Sequence, residues 1–227
     1  MPLTARLTAL CAALIAAAAI AVVLDRGGNT AASETDPTTV GEIPPTAPVP
    51  APVRPSRAVG LPYAGRLVGG VQLPAEGPEF FTWDPILKRS PNRDWRRYGT
   101  DRLLDTLTRV FTDYRALHPG APRVGIGDLS RPHGGNFGPR FGAPGHASHQ
   151  NGLDVDVYYP RKDGLERRPP EPRLVDRGLA QDLVDLFVLA DVQFVFVGPH
   201  VGLRGPRRIV QPLRLHDDHM HVRIRAR

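Results

Sequence analysis

The chain has 227 residues, a formal net charge of +6 and a single cysteine. One cysteine excludes a fold stabilised by disulfides, and a chain of this size can bury a sufficient hydrophobic core without them. The positive charge favours an anionic partner, although charge alone does not identify a binding site.

Residues Leu7 to Leu24 form an apolar segment near the N-terminus. At about 18 residues it is long for the apolar part of a signal peptide and just long enough to span a bilayer. Both a cleaved signal and an uncleaved N-terminal membrane anchor are therefore open. The run Thr30-Ala31-Ala32-Ser33 offers a cleavage site, whereas the bulky Leu10 before Cys11 argues against a lipoprotein. Either interpretation predicts an exported protein, for which nucleic acid is not an expected partner.

Residues 26–60 are rich in proline, threonine and alanine. Such a composition is typical of an extended spacer rather than a packed domain. We therefore divide the chain into a signal peptide or membrane anchor (1–25), a linker (26–60) and one folded domain (61–227).

The domain has the pattern of an α+β fold. Thr100 is placed to cap a helix from Asp101 to about Leu117, and a second helix is predicted from Asp176 to about Ala190. The segments Val124–Asp128 and Gln193–Val197 are predicted strands. With two further strands that carry histidine and aspartate, they predict a small, mostly antiparallel sheet flanked by helices.

Five of the eight histidines fall into two tight groups, which together form a candidate metal site. The first runs from His146 through His149 to Asp156, and the second from His216 to His221. Imidazole and carboxylate are the ligands of a hydrolytic zinc ion, which takes three protein ligands and keeps one position for water.

Both groups include a segment in which polar and apolar residues alternate. This pattern is typical of a strand, in which residues two apart share a face. His219 and His221 are therefore expected to project together, so that one binds metal while the other stands beside the bound water. Asp154 and Asp156 share a face in the same way, and two carboxylates there are unfavourable unless they meet a cation or hydrogen-bond donors. The alternatives are a surface strand with solvated histidines and a polar outer strand face.

This combination of motifs resembles the LAS zinc metallopeptidases, a group that includes zinc D,D-carboxypeptidases and proteins of the hedgehog-type fold. The wider sequence is closer still to the penicillin-insensitive murein endopeptidase family, and the resemblance covers about residues 61–227. The stretches that carry it are Gly69–Pro74, Arg97–Thr100, Gly127–Ser130, Gly134-Gly135, Ser148–Gln150, Gly152–Asp156 and His219–Arg223.

The resemblance implies a hedgehog/D,D-peptidase-like fold and a role for each histidine at the site. His149, Asp156 and His221 match the family's three zinc ligands, and His219 matches the active-site histidine beside the metal-bound water. His216 and His146 match two further active-site histidines. The region Arg161–Pro170 is shorter than the family pattern leads us to expect, so a second metal site or substrate wall there stays open.

The function implied is that of a zinc-dependent murein endopeptidase, which hydrolyses peptide crosslinks of peptidoglycan in the cell envelope, outside the cytoplasm. His219 is expected to orient or deprotonate the attacking water, and His216, the second candidate catalytic residue, is expected to hold the substrate or steady charge. His146, Asp154 and Arg131 are expected to contact the substrate or to support the metal ligands, with an ordinary loop cation as the alternative for Arg131.

Three rival functions stay open: a D,D-carboxypeptidase, another cell-wall peptidase of the same fold, and a catalytically inactive wall-binding domain that keeps zinc for structure. The anionic partner of the basic chain is expected to be the stem peptides of peptidoglycan, teichoic acid or anionic lipid. Candidate contact residues are two groups of arginines, Arg89, Arg93, Arg96 and Arg97, and Arg204, Arg207 and Arg208.

Overall fold

The computed structural model describes residues 55–142 and 145–226, so the apolar segment Leu7 to Leu24 and most of the predicted linker lie outside the described residues. Paired structure already begins at Arg57, upstream of residue 61, where the sequence placed the start of the domain. The described part of the chain contains the strands β1 (Arg57–Leu61), β2 (Ala64–Val68), β3 (Val71–Gln72), β4 (Phe80–Thr82), β5 (Tyr98–Gly99), β6 (Val124–Ile126), β7 (Asp154–Tyr158), β8 (Phe194–Val197), β9 (Val210–Pro212) and β10 (His219–Arg223).

Within the described residues two α-helices accompany the strands, and both begin at a capping side chain. In α1 (Asp101–Leu117) the Thr100 hydroxyl accepts a hydrogen bond from the Leu103 amide at 3.2 Å. In α2 (Arg177–Leu189) the Asp176 carboxylate caps the first turn. No helix in residues 55–142 or 145–226 is both long and apolar enough to cross a membrane.

The main sheet has six strands in the order β4-β6-β7-β10-β8-β9. The outer pairs β4–β6 and β8–β9 are parallel, while the three inner pairings are antiparallel. The predicted α+β class with a mostly antiparallel sheet is therefore confirmed.

The two central strands, β7 and β10, present different chemistry on their two faces. Val155, Val157 and Val222 are fully buried in the hydrophobic core. Because successive side chains alternate between faces, the carboxylates of β7 and the histidines of β10 share the opposite face. The antiparallel register sets His221 directly opposite Asp156. The fold thus brings together residues that are far apart in sequence.

The β1–β2 hairpin is attached to the loop that precedes β7. The Gln150 amide donates to the Pro62 carbonyl at 3.0 Å, and the Asn151 side chain donates to the Gly60 carbonyl at 3.1 Å. A segment that was in part assigned to the linker is therefore a support for this loop.

A candidate metal centre

His149 reaches the site through an unusual backbone conformation. Its φ angle is 65°, in the left-handed region that few residues other than glycine adopt. The imidazole Nδ1 lies 2.7 Å from the Leu129 carbonyl, to which it donates, so Nε2 remains an acceptor. Gly152, at φ 75°, turns the chain into β7, and a Cβ there would lie 2.8 Å from the Leu67 side chain. Glycine is therefore required at this turn.

Three potential ligand atoms form a nearly regular triangle above the central strands. His149 Nε2 lies 3.1 Å from His221 Nδ1 and 3.2 Å from Asp156 Oδ1, and the third side of the triangle measures 3.3 Å. Ligands at zinc–nitrogen and zinc–oxygen distances of about 2.0 Å in a tetrahedral site lie roughly 3.3 Å apart. The spacing of the three atoms therefore suits one small cation.

The protonation pattern of these side chains also favours a cation. His221 Nε2 lies 2.8 Å from Asp154 Oδ1, and donation there leaves Nδ1 as an acceptor. Asp156 Oδ1 is buried and has no well-aligned hydrogen-bond donor among the described residues. Three acceptors that converge repel one another unless a proton or a metal ion lies between them.

The pKa values reflect the same need for positive charge. Burial lowers the pKa of His221, but its hydrogen bond to Asp154 and the nearby Asp156 carboxylate outweigh burial and raise the pKa to about 9. Burial, together with the neighbouring charges of His146 and His221, lowers the pKa of His149 below its usual range although Asp156 opposes the shift. The pKa of Asp156 stays well below normal because the charges of His149 and His219 outweigh its burial. The metal-free site thus holds a proton on His221, where a metal ion can take its place.

His146 forms a second, overlapping group of potential ligands with His149 and Asp156, whose ligand atoms lie within 4.8 Å of one another. Its Nδ1 is 3.8 Å from Asp156 Oδ2, farther than any side of the triangle. Its Nε2 lies 2.7 Å from the buried Asp128 carboxylate. The structure therefore brings His146 to the edge of the site.

An arginine stands behind each carboxylate that orients a histidine. Arg223 Nε donates to Asp154 at 2.6 Å, and Arg96 Nε donates to Asp128 at the same distance. The motif segment Gly127–Ser130 contained Asp128, but neither Asp128 nor Arg223 was expected to have a role, and Arg96 was assigned to an anion-binding surface instead. The two residues of each pair are far apart in sequence, so no local pattern predicts that they form an ion pair.

The interpretation of Arg96 and Arg97 as surface cations for an anionic partner is wrong. Both are buried, Arg96 against Asp128 and Arg97 against Asp94 and the Leu73 carbonyl. Their charges are neutralised within the protein, so they cannot form an anion-binding surface. Arg204, Arg207 and Arg208, by contrast, are exposed.

His219 lies beside the triangle with one ring nitrogen directed toward it. Nε2 is 3.7 Å from Asp156 Oδ1, while Nδ1 is 2.7 Å from Asp218 Oδ1. Arg168 contacts the other oxygen of Asp218. The predicted pairing of His219 and His221 on one strand face is what the structure has, although the contribution of Asp218 was not foreseen.

His216 and Arg131 occupy different positions relative to this site. The His216 ring lies 4.7 Å from that of His219, and its Nδ1 donates to the Arg214 carbonyl. Burial and the neighbouring His219 charge lower the pKa of His216 to about 4, so the ring is neutral and offers Nε2 as an acceptor. Arg131 instead donates to the Asn136 carbonyl and stacks on Phe141. Those contacts place Arg131 on a neighbouring loop rather than on the triangle.

Comparison with known proteins identifies the same family that the motifs suggested. The family model described as penicillin-insensitive murein endopeptidase matches residues 58–186, which include His149 and Asp156 but end before His216. Three similar proteins carry the same name. They come from Salmonella heidelberg (31% identity over 80% of this chain and 69% of the relative), Pectobacterium atrosepticum (29%, 75% and 65%) and Yersinia enterocolitica (30%, 75% and 66%).

The chain therefore spans about two thirds of the length of these relatives. The family match covers more than half of the chain, and the relatives extend the similarity to three quarters of it or more. On this evidence the chain belongs to the penicillin-insensitive murein endopeptidase family.

Proposed function

We propose that this protein is a zinc-dependent endopeptidase that hydrolyses peptide crosslinks of peptidoglycan. Family membership supports the reaction and the substrate class. The observation that carries the metal assignment is the triangle of acceptor atoms from His149, Asp156 and His221, with sides of 3.1–3.3 Å. Nitrogen and carboxylate oxygen are the donor set of a catalytic zinc site with three protein ligands.

The zinc ligands in this proposal are His149, Asp156 and His221, as the family resemblance implied. When bound, zinc supplies a Lewis acid that polarises a carbonyl group and makes water nucleophilic near neutral pH. His149 and His221 would hold it through neutral nitrogens, because their other nitrogens donate to Leu129 and Asp154. His146 then lies beside the ligands rather than among them.

His219 is the proposed acid and base. Its Nε2 faces the site, so it can accept a proton from the attacking water and return that proton to the leaving amine. His216, held neutral, presents an acceptor for a substrate N–H group. Asp154 orients His221, and Arg131 keeps its predicted role at the substrate only if bound substrate extends to the neighbouring loop.

The N-terminal segment fits this function as an export device. A murein endopeptidase acts outside the cytoplasm, and the apolar segment Leu7 to Leu24 supplies either a cleaved signal or an anchor in the inner membrane. The linker would then let the catalytic domain reach the wall.

Digestion of purified muropeptides by the full chain tests the proposal. Crosslinked dimers should be converted to monomers, the chelated protein should be inactive, and zinc should restore activity. His219→Ala should keep its zinc while activity falls by roughly 10²–10⁴, the usual contribution of a positioned acid or base. Mass spectrometry of the products identifies the bond.

Other products would point to the other functions. Release of a terminal residue from uncrosslinked peptides would indicate a D,D-carboxypeptidase. Binding of zinc and of peptidoglycan without any product would indicate an inactive wall-binding domain. Loss of zinc from His219→Ala would exchange the roles of His219 and His221.

A further inference from the structure

The His219 ring contacts Asp218 on the side away from the triangle, and Asp218 in turn contacts Arg168 from a different segment. Its Nδ1 lies 2.7 Å from Asp218 Oδ1, and the guanidinium of Arg168 contacts Asp218 Oδ2. Asp218 is 16% exposed and His219 17% exposed, so solvent has little access to the hydrogen bond between them. Arg168 comes from the loop between β7 and α2, the region that is shorter than the family pattern led us to expect.

We propose that Asp218, held in place by Arg168, is a positioning residue that fixes His219 with Nε2 toward the metal centre. An unprotonated carboxylate can only accept, so Nδ1 must carry the hydrogen, and in the neutral imidazole Nε2 then keeps its lone pair. A base for the attacking water needs that lone pair on the side of the triangle, where Nε2 lies 3.7 Å from Asp156 Oδ1.

The same construction recurs at two other histidines of the site. Asp154 and Arg223 support His221, and Asp128 and Arg96 support His146. Those two arginine side chains are 15% and 2% exposed, whereas that of Arg168 is 40% exposed. The support of His219 is therefore the one of these three that a surface loop completes.

The inference rests on the proposed function, because His219 needs orientation only if it acts on the substrate. It goes beyond that function in assigning a task to Asp218 and to the compact loop. Backbone contacts hold Asp218 independently of its side chain, since its carbonyl accepts from the Tyr159 amide at 3.3 Å. Removal of the carboxylate should therefore leave the strand in place.

The test compares two adjacent aspartates in the full, zinc-loaded chain. Asp218→Ala should lower kcat by about 10–100-fold, the usual effect of removing the partner of a catalytic group, with KM changed less than about threefold and zinc retained. Asp217→Ala is the matched control. It deletes an Asp–His pair of the same length, with His200 at 2.7 Å, and should change kcat less than about threefold because that pair is more exposed and does not include His219.

Conservative variants separate positioning from general stability. Asp218→Asn keeps an acceptor for Nδ1 and should retain more activity than Asp218→Ala. Arg168→Lys should likewise retain more activity than Arg168→Gln. A kcat of Asp218→Ala equal to that of Asp217→Ala would overturn the inference, and so would parallel loss of zinc and activity.

A spectroscopic measurement distinguishes failure of this inference from failure of the proposed function. Nitrogen NMR of the His219 ring at mildly alkaline pH, with and without chelator, should show the Nδ1–H tautomer in the parent chain and in Asp217→Ala. It should show a mixture of tautomers in Asp218→Ala. An unchanged tautomer in Asp218→Ala would refute the positioning role even if the protein proved inactive on muropeptides.

Discussion

Each imidazole at the candidate centre has one nitrogen committed to a neighbour. His149 and His216 use backbone carbonyls, and His221, His146 and His219 use carboxylates. Commitment of one nitrogen fixes the ring plane and selects which nitrogen keeps its lone pair. The chemistry of the site is thus determined as much by these neighbours as by the histidines.

Zinc stoichiometry in histidine variants tests which of the overlapping groups binds metal. His221→Ala removes one corner of the triangle and should weaken zinc binding by several orders of magnitude, because two ligands remain. His146→Ala should keep one zinc per chain, with affinity reduced by at most about 10–100-fold. The exposed His133→Ala serves as control. One zinc per chain in His221→Ala and none in His146→Ala would show that His146, and not His221, is the third ligand.

Asp128 makes a pH-dependent contribution to stability. Burial raises its pKa, but His146 and Arg96 outweigh burial and lower the pKa to about 2 from an ordinary 3.8. A depressed pKa stabilises the folded state above pH 3.8, and this contribution of about 2 kcal/mol is lost as the pH falls toward 2.

Urea unfolding of Asp128→Asn at several pH values measures this contribution. The variant should lose about 3 kcal/mol at neutral pH, because Arg96 stays buried without its counter-charge. Its free energy of unfolding should also fall less steeply than that of the parent between pH 4 and pH 2. Asp191→Asn, at an exposed ion pair with Arg225, should follow the parent. Parallel curves for Asp128→Asn and the parent would contradict the assignment.

At the scale of secondary structure, the helices were predictable almost to the residue. The α1 helix runs from Asp101 to Leu117 as expected, since a capping threonine and an apolar stripe both act within the segment. The strand faces of β7 and β10 followed in the same way from alternation. The neighbours of β7 and β10 in the sheet could not be predicted, because strand pairing depends on contacts between distant segments.

The elements that were missed lack a local signal. The β1 strand follows a proline-rich stretch, and its pairing with β2 is not visible in a hydrophobic pattern. The burial of Arg96 depends on Asp128, 32 residues later. Sequence spacing thus located the histidines and Asp156, whereas the charged groups that orient them required the fold.

The capping hydroxyl of α1 also connects this helix to the turn that precedes β7. Thr100 Oγ1 accepts from the Leu103 amide and donates to the Gly152 carbonyl at 3.1 Å. Thr100→Ala should therefore lower the free energy of unfolding by about 1–2 kcal/mol, as loss of an N-cap does. Thr108→Ala, at an exposed position within the same helix, should be neutral or slightly stabilising. Equal midpoints in urea for the two variants would show that the cap contributes nothing.

At the scale of the whole molecule, the charge of the chain divides into two parts. Several arginines, among them Arg96, Arg97 and Arg223, are neutralised inside the domain by aspartates. Arg204 and Arg207 line an open cavity of about 320 Å³ formed largely by the segment that connects β8 to β9. The total of 29 lysine and arginine residues therefore overstates the number of cations that an anionic wall could meet.

The boundary of the domain can be tested by truncation at two positions. A protein that starts at residue 55 keeps β1 and the hydrogen bonds of Ser56 to Asp101, so it should fold, bind one zinc and cleave crosslinked peptides. A protein that starts at residue 62 loses β1 and the Gly60 carbonyl that holds Asn151, in the loop that carries His149. It should be less stable and bind zinc more weakly.

The chain from residue 55 should not fractionate with membranes, whereas the full chain should if its apolar segment is uncleaved. Equal zinc affinity and stability in the two truncated proteins would show that β1 is dispensable, and the linker would then extend to residue 61.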